Sequence, residues 1–149
     1  MKLWIDTSAL GTAGQAVHAK VREMKASVNQ QVLSRGTRAV NQLRNAELEV
    51  LNGQRSGRVY RKYPFKSTYT ASAPGEPPAR RTGNLRLHWS GDVKGSGDEI
   101  TIELESGEFY ADYMEHGTPG GMIKPRPFVD KITEKAMPNV KAIFNEPYV

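Results

Sequence analysis

From about Gln15 the apolar positions fall at Val17, Val21, Met24, Val28, Val32, Ala39, Leu43, Ala46 and Val50. Steps of three, four and seven residues place them on one stripe of an amphipathic helix. Asn52-Gly53 supplies a C-terminal stop. Unbroken, such a helix is about 55 Å long, more than the width of a small domain. Gly36 is its expected weak point, costing about 1 kcal/mol relative to alanine in an exposed interior. Upstream, residues 2–6 form an apolar run that reads as an edge strand, and Thr7 and Ser8 are natural helix caps. Downstream the period changes to two. Leu85, Leu87 and Trp89 alternate with Arg86, His88 and Ser90, and Ile100, Ile102 and Leu104 alternate with polar residues. Glycine-rich residues 94–98 separate the runs, so a β-hairpin of strands 85–93 and 99–105 is expected. A closing helix starts near Pro127 and carries Phe128, Ile132, Val140, Ile143 and Phe144, with Pro138 expected to kink or split it.

These elements predict an α+β fold in one domain spanning 1–149. A long N-terminal helix packs on a small antiparallel sheet, with a C-terminal helix closing the domain. Between helix and hairpin, residues 72–85 read SAPGEPPARRTGNL. Pro74, Pro77 and Pro78 fix φ and remove backbone donors, which makes the stretch stiff and non-helical. It is expected to protrude as an arm, separable from the fold, within an extended basic segment of about 53–84.

Charge sharpens that picture. Gly53 to Arg86 holds Arg55, Arg58, Arg61, Lys62, Lys66, Arg80, Arg81 and Arg86 against Glu76 alone, a local +7. The whole chain carries +5, so the remainder is about −2. With Tyr60, Tyr63, Phe65 and Tyr69 interleaved, the segment has the composition of a polyanion contact. A stand-alone nucleic-acid-binding protein using residues 55–86 is one reading of it.

The chain has no cysteine, which removes disulfides, thiol nucleophiles and thiolate metal sites. His18, His88 and His116 are too separated to suggest a metal site. The start MKLWIDTSAL superficially resembles the first strand of PIN-type nucleases, with Asp6 as a metal ligand. That chemistry needs convergent carboxylates at the ends of parallel strands, and the required βαβ alternation is missing. No catalysis and no cofactor are expected. The same start lacks a signal-peptide pattern, and no apolar run approaches the ~20 residues that span a bilayer. The expectation is a soluble, non-secreted chain without a membrane partner.

Three segments in order, SAPGEPPARRTGNL, YADYMEHGT (110–118) and KPRPF leading into the last helix, resemble the head–tail joining or tail-completion proteins of long-tailed bacteriophages. These are the neck and minor tail components of the virion. The resemblance covers nearly all of the chain after residue 15, although Pro119-Gly120-Gly121 between the second and third segments departs from the family pattern. It implies a structural protein made in the host cytoplasm and built into the virion neck. There it forms a homo-oligomeric ring, six-fold or alternatively twelve-fold, around the DNA channel. Neighbouring neck, connector and tail-tube or tail-terminator proteins are the implied partners, with non-specific contact to genomic DNA. On this reading Pro74, Glu76, Pro77, Pro78, Tyr110, Glu115, Arg126 and Phe128 make subunit contacts, with Glu115 and Arg126 as a charged pair. Arg55, Arg58, Arg61, Lys62, Arg80 and Arg81 face DNA.

Overall fold

A computed structural model describes residues 11–96 and 99–148; the expected N-terminal strand and the Thr7 and Ser8 caps lie outside them. The fold is α+β. Helix α1 (Gly11–Asn52) is followed by a hairpin of β1 (Val59–Arg61) and β2 (Thr68–Thr70), and by a single helical turn, α2 (Asn84–Leu87). Strands β3 (Trp89–Ser96) and β4 (Glu99–Ser106), short helix α3 (Ala111–His116) and α4 (Val129–Phe144) complete it. The strands form two separate antiparallel pairs, β1–β2 and β3–β4. No helix among the described residues is long and apolar enough to cross a membrane.

The 42-residue α1 is about 60 Å long at 1.5 Å per residue, and its two halves have different surroundings. Ala39, Ala46 and Leu51 are buried, because this half carries β3–β4 on one side and α4 on another. The core joins Ala46 and Leu51 to Phe128, Ile132 and Ala136, with Leu43, Leu85, Trp89, Met114 and Val140 packed around them. Trp89 meets Phe128 edge-on at 6.1 Å, the arrangement favoured by ring quadrupoles. In the other half Val17, Val21 and Met24 are 53, 57 and 59% exposed. The same apolar stripe therefore leaves the body and continues into solvent.

Gly36 proves to be a packing position rather than a weak point. It is buried, and a Cβ there would lie 2.8 Å from Val93 Cγ1 and 3.1 Å from Ile100 Cδ1. The glycine lets the inner face of β3–β4 settle onto α1. Gly91 does the converse, since a Cβ on it would lie 2.3 Å from Val40 Cγ1.

The expected strand over 85–93 begins only at Trp89. Residues 84–87 form a helical turn instead, entered through Gly83 at φ 94°, a backbone state that favours glycine. Leu85 and Trp89 are four apart, and the indole N–H donates to the Leu85 carbonyl. That helical spacing, not the alternation, brings both to the core. Helix α4 runs through Pro138 without splitting. Pro138 is exposed, so water can reach the carbonyl that lacks its N–H partner.

Candidate assembly surfaces

The proline segment does not protrude. Pro77 and Pro78 are buried, and within 72–78 only Pro74 and Gly75 at the turn face solvent. Its polar atoms are tied down along its length. The Glu76 carboxylate accepts hydrogen bonds from the Ser56 hydroxyl, the Ser56 N–H at 3.1 Å and the Ala73 N–H at 2.9 Å. Those donors, with the Ser56 hydroxyl first, hold its pKa down at about 2. Arg126 donates to the Ser72 hydroxyl and carbonyl, and to the Ala73 carbonyl at 3.2 Å. Lys131 reaches the Gly75 carbonyl, and the Gly75 N–H donates to the Pro125 carbonyl. Residues 72–78 thus belong to the body of the domain and are not separable from it.

Several expected contact residues are used within the chain. Phe128 is 1% exposed, so its ring has no surface left for a neighbouring subunit. Glu115 does not pair with Arg126. Its carboxylate accepts from the Phe128 N–H at 2.7 Å and the Val129 N–H at 3.2 Å, satisfying unpaired donors at the start of α4. Tyr110 is half-buried, and burial, then Glu108, raises its phenol pKa. The exposed aromatics in this region are Phe109 and Tyr113.

Of the cations expected to face DNA, Arg55 turns inward. It donates to the Val50 carbonyl at 2.7 Å and to the Pro78 carbonyl at 3.2 Å, and burial lowers its pKa. Arg80 is exposed and donates to Asn52 Oδ1 at 3.2 Å. Arg58 and Arg61 are exposed on the β1–β2 hairpin, and Lys62 is half-buried at its tip. This hairpin is the element that projects. Both strands are short, Tyr60 faces Tyr69 across them, and among the described residues neither side is covered by another element. Tyr60 and Tyr69 stack at 5.8 Å, with Arg58 over the Tyr60 ring at 5.5 Å and Arg81 over the Tyr69 ring at 6.0 Å. The cation–π contacts use ring surface that base stacking would need. At the tip, Tyr63 and Phe65 are strongly exposed around a cis Tyr63–Pro64 peptide, flanked by Lys62 and Lys66.

Two charged groups on α1 have roles the sequence reading did not assign. Arg35 is buried and donates to the carbonyls of Phe144 and Pro147, while its guanidinium lies 3.7 Å from the centre of the Tyr148 ring. It closes the C-terminal end of α4, where carbonyls lack helical partners. Its position was signalled, because Val28, Val32, Arg35 and Ala39 continue the three- and four-residue steps of the apolar stripe. Glu47 is 0% exposed, is ion-paired with Arg44, and keeps one carboxylate oxygen without a hydrogen-bond partner. Burial outweighs Arg44 and Arg86 and pushes its pKa up to about 7.

Among the described residues no cluster of three or more His, Asp or Glu is arranged to hold a metal ion. The surface carries exposed basic side chains on the β1–β2 hairpin and exposed apolar side chains along the first half of α1. No protein-family model, curated protein or solved structure matches the chain.

Proposed function

We propose that this chain is a structural subunit of a long-tailed phage virion, a neck or tail-completion protein that joins the capsid connector to the tail. Copies associate head-to-tail in a ring, six-fold in the first instance, around the DNA channel. The observation that carries the reading is the uncovered half of α1. Val17, Val21, Met24 and Val28 form an exposed stripe on which nothing packs among the described residues, and a contiguous apolar surface of this kind marks an interaction site.

The flanks of the stripe favour an unlike surface over its own copy. In a symmetric coiled coil with Val21 and Val28 at the a positions and Val17 and Met24 at the d positions, Lys20 and Lys25 occupy the g and e positions. Facing copies would then oppose lysine to lysine. A ring needs such a heterologous contact, made between two different patches.

The β1–β2 hairpin supports a second role. Arg58, Arg61, Lys62 and Lys66 lie in a stretch without a single acid, and such a surface attracts phosphate without reading sequence. A stand-alone nucleic-acid-binding protein is the competing reading on that observation. Cryo-electron microscopy of virions containing the protein separates the two. A ring coaxial with the channel is the expected result, and particles lacking the protein would refute the structural role. Val21→Ser with Val28→Ser should leave monomer stability within about 0.5 kcal/mol and abolish incorporation.

A further inference from the structure

We propose that the outer face of the β3–β4 hairpin in one copy receives the basic β1–β2 hairpin of the next copy. This rests on the assembly reading above and names a contact within it.

The β3–β4 register places Gly91 opposite Leu104 and Val93 opposite Ile102. These residues face α1, as the approaches of Val93 and Ile100 to Gly36 and of Val40 to Gly91 require. Alternation then puts Asp92, Lys94, Glu99, Thr101, Glu103 and Glu105 on the outer face. Four of these six are acids and one is basic. Lys94 is already paired with Glu103, while Glu99 and Glu105 are exposed and have no ion-pair partner among the described residues. Among the described residues no other strand or helix covers this face.

The opposite charge sits on the other hairpin of the same chain. Residues 58–70 carry Arg58, Arg61, Lys62 and Lys66 and no acid. The two pairs lie in separate sheets and no ion pair links them among the described residues, so beyond the Lys94–Glu103 pair their charges do not meet each other inside one copy. Two complementary patches at different places on one chain produce a head-to-tail contact that repeats. Complementary potential of this kind sets register and partner choice more than raw affinity. Nucleic acid would meet the same cations, but the Tyr60 and Tyr69 rings already stack on each other with Arg58 and Arg81 over them, which leaves Tyr63 and Phe65 at the tip as the open rings. The acidic face, moreover, would have no use in that arrangement.

A mixture of ordinary and nitrogen-15-labelled full-length chain, treated with a carbodiimide that couples carboxylates directly to lysines, tests the contact. Mass spectrometry should find mixed-isotope links from Lys62 or Lys66 to Glu99, Glu103 or Glu105. Lys62→Glu with Lys66→Glu, and separately Glu99→Lys with Glu105→Lys, should each weaken association about ten-fold or more. Mixing the two variants in equal amounts should restore it, because each then offers the patch that the other lacks.

Association that persists in both variants, or mixed-isotope links confined to other residues, overturns this contact and leaves the ring reading standing. A wild-type chain without mixed-isotope links at millimolar concentration overturns the contact as well. The ring itself is then decided separately by imaging the virion neck. A lysine variant that loses labelled duplex DNA but keeps its association assigns the hairpin to nucleic acid and also refutes the proposal.

Discussion

Replacing Glu47 by glutamine tests how a buried charge is held inside α1. The side chain is fully buried, and its pKa rises from 4.5 to about 7, with burial the leading cause. A folded-state pKa above the unfolded one means that the unfolded chain releases this proton first as pH rises. Stability from this group is therefore full below pH 4.5 and is lost as pH climbs through about 7. The shift of about 2.5 units, at 1.36 kcal/mol per unit, corresponds to about 3 kcal/mol. The substituted amide resembles the protonated acid at every pH and has nothing to titrate. Urea unfolding followed by circular dichroism, run on both proteins from about pH 4.5 to about pH 8, measures the difference. Any fixed cost of the substitution, including its effect on Arg44, enters at all pH values and drops out of the comparison. The stability of Glu47→Gln relative to wild type should rise by about 3 kcal/mol across that range. A difference that stays constant with pH would refute the reasoning, because Glu47 would then ionise equally in the folded and unfolded chains.

Phe128→Ala should cost about 3–5 kcal/mol by thermal or chemical unfolding, since it empties the centre of the core, whereas Tyr63→Ala on the exposed tip should stay within about 0.5 kcal/mol. Glu76→Gln should speed hydrogen exchange at the Ala73 and Ser56 amides, its two backbone donors. In the wild type the same loosening should appear only as pH falls toward about 2, where the Glu76 carboxylate takes up its proton. Gly36→Ala gains about 1 kcal/mol of helix propensity but drives a Cβ against Val93. It should lower the melting temperature alone and recover with Val93→Ala, and a simple gain in stability would show that α1 and β3 are not tightly seated.

The long helix was legible because its stripe keeps a regular spacing from Val17 to Val50, about nine turns at 3.6 residues each. Periodicity records which side of a helix is apolar, though, and not what covers it, so the change of surroundings midway along α1 could not be read. The residues at 85–89 satisfied two periods at once, and Gly83 decided between them by turning the chain into a helical start. Strands β1 and β2 left no alternating signature because neither of their faces is buried. For the proline segment, stiffness was readable from Pro74, Pro77 and Pro78, but direction was not. Its docking depends on Arg126, which is 54 residues from Ser72 along the chain. The role of Glu115 within the chain was unreadable for a related reason, since its partners are the Phe128 and Val129 backbone N–H groups, which no side-chain pattern advertises.

The half-supported α1 also bears on how ordering would be timed. Starting a helix is the costly step, and extending one is cheap. Residues 35–51 are held by the core, so they act as a permanent nucleus for the turns that project beyond it. Those outer turns can fray and re-form residue by residue without ever having to begin a helix anew. A partner arriving at Val17 to Val28 meets a segment that needs only to be propagated, on a timescale of about nanoseconds per residue. Capture then resembles closing a zip whose slider is already engaged, and its direction is set from the body outward.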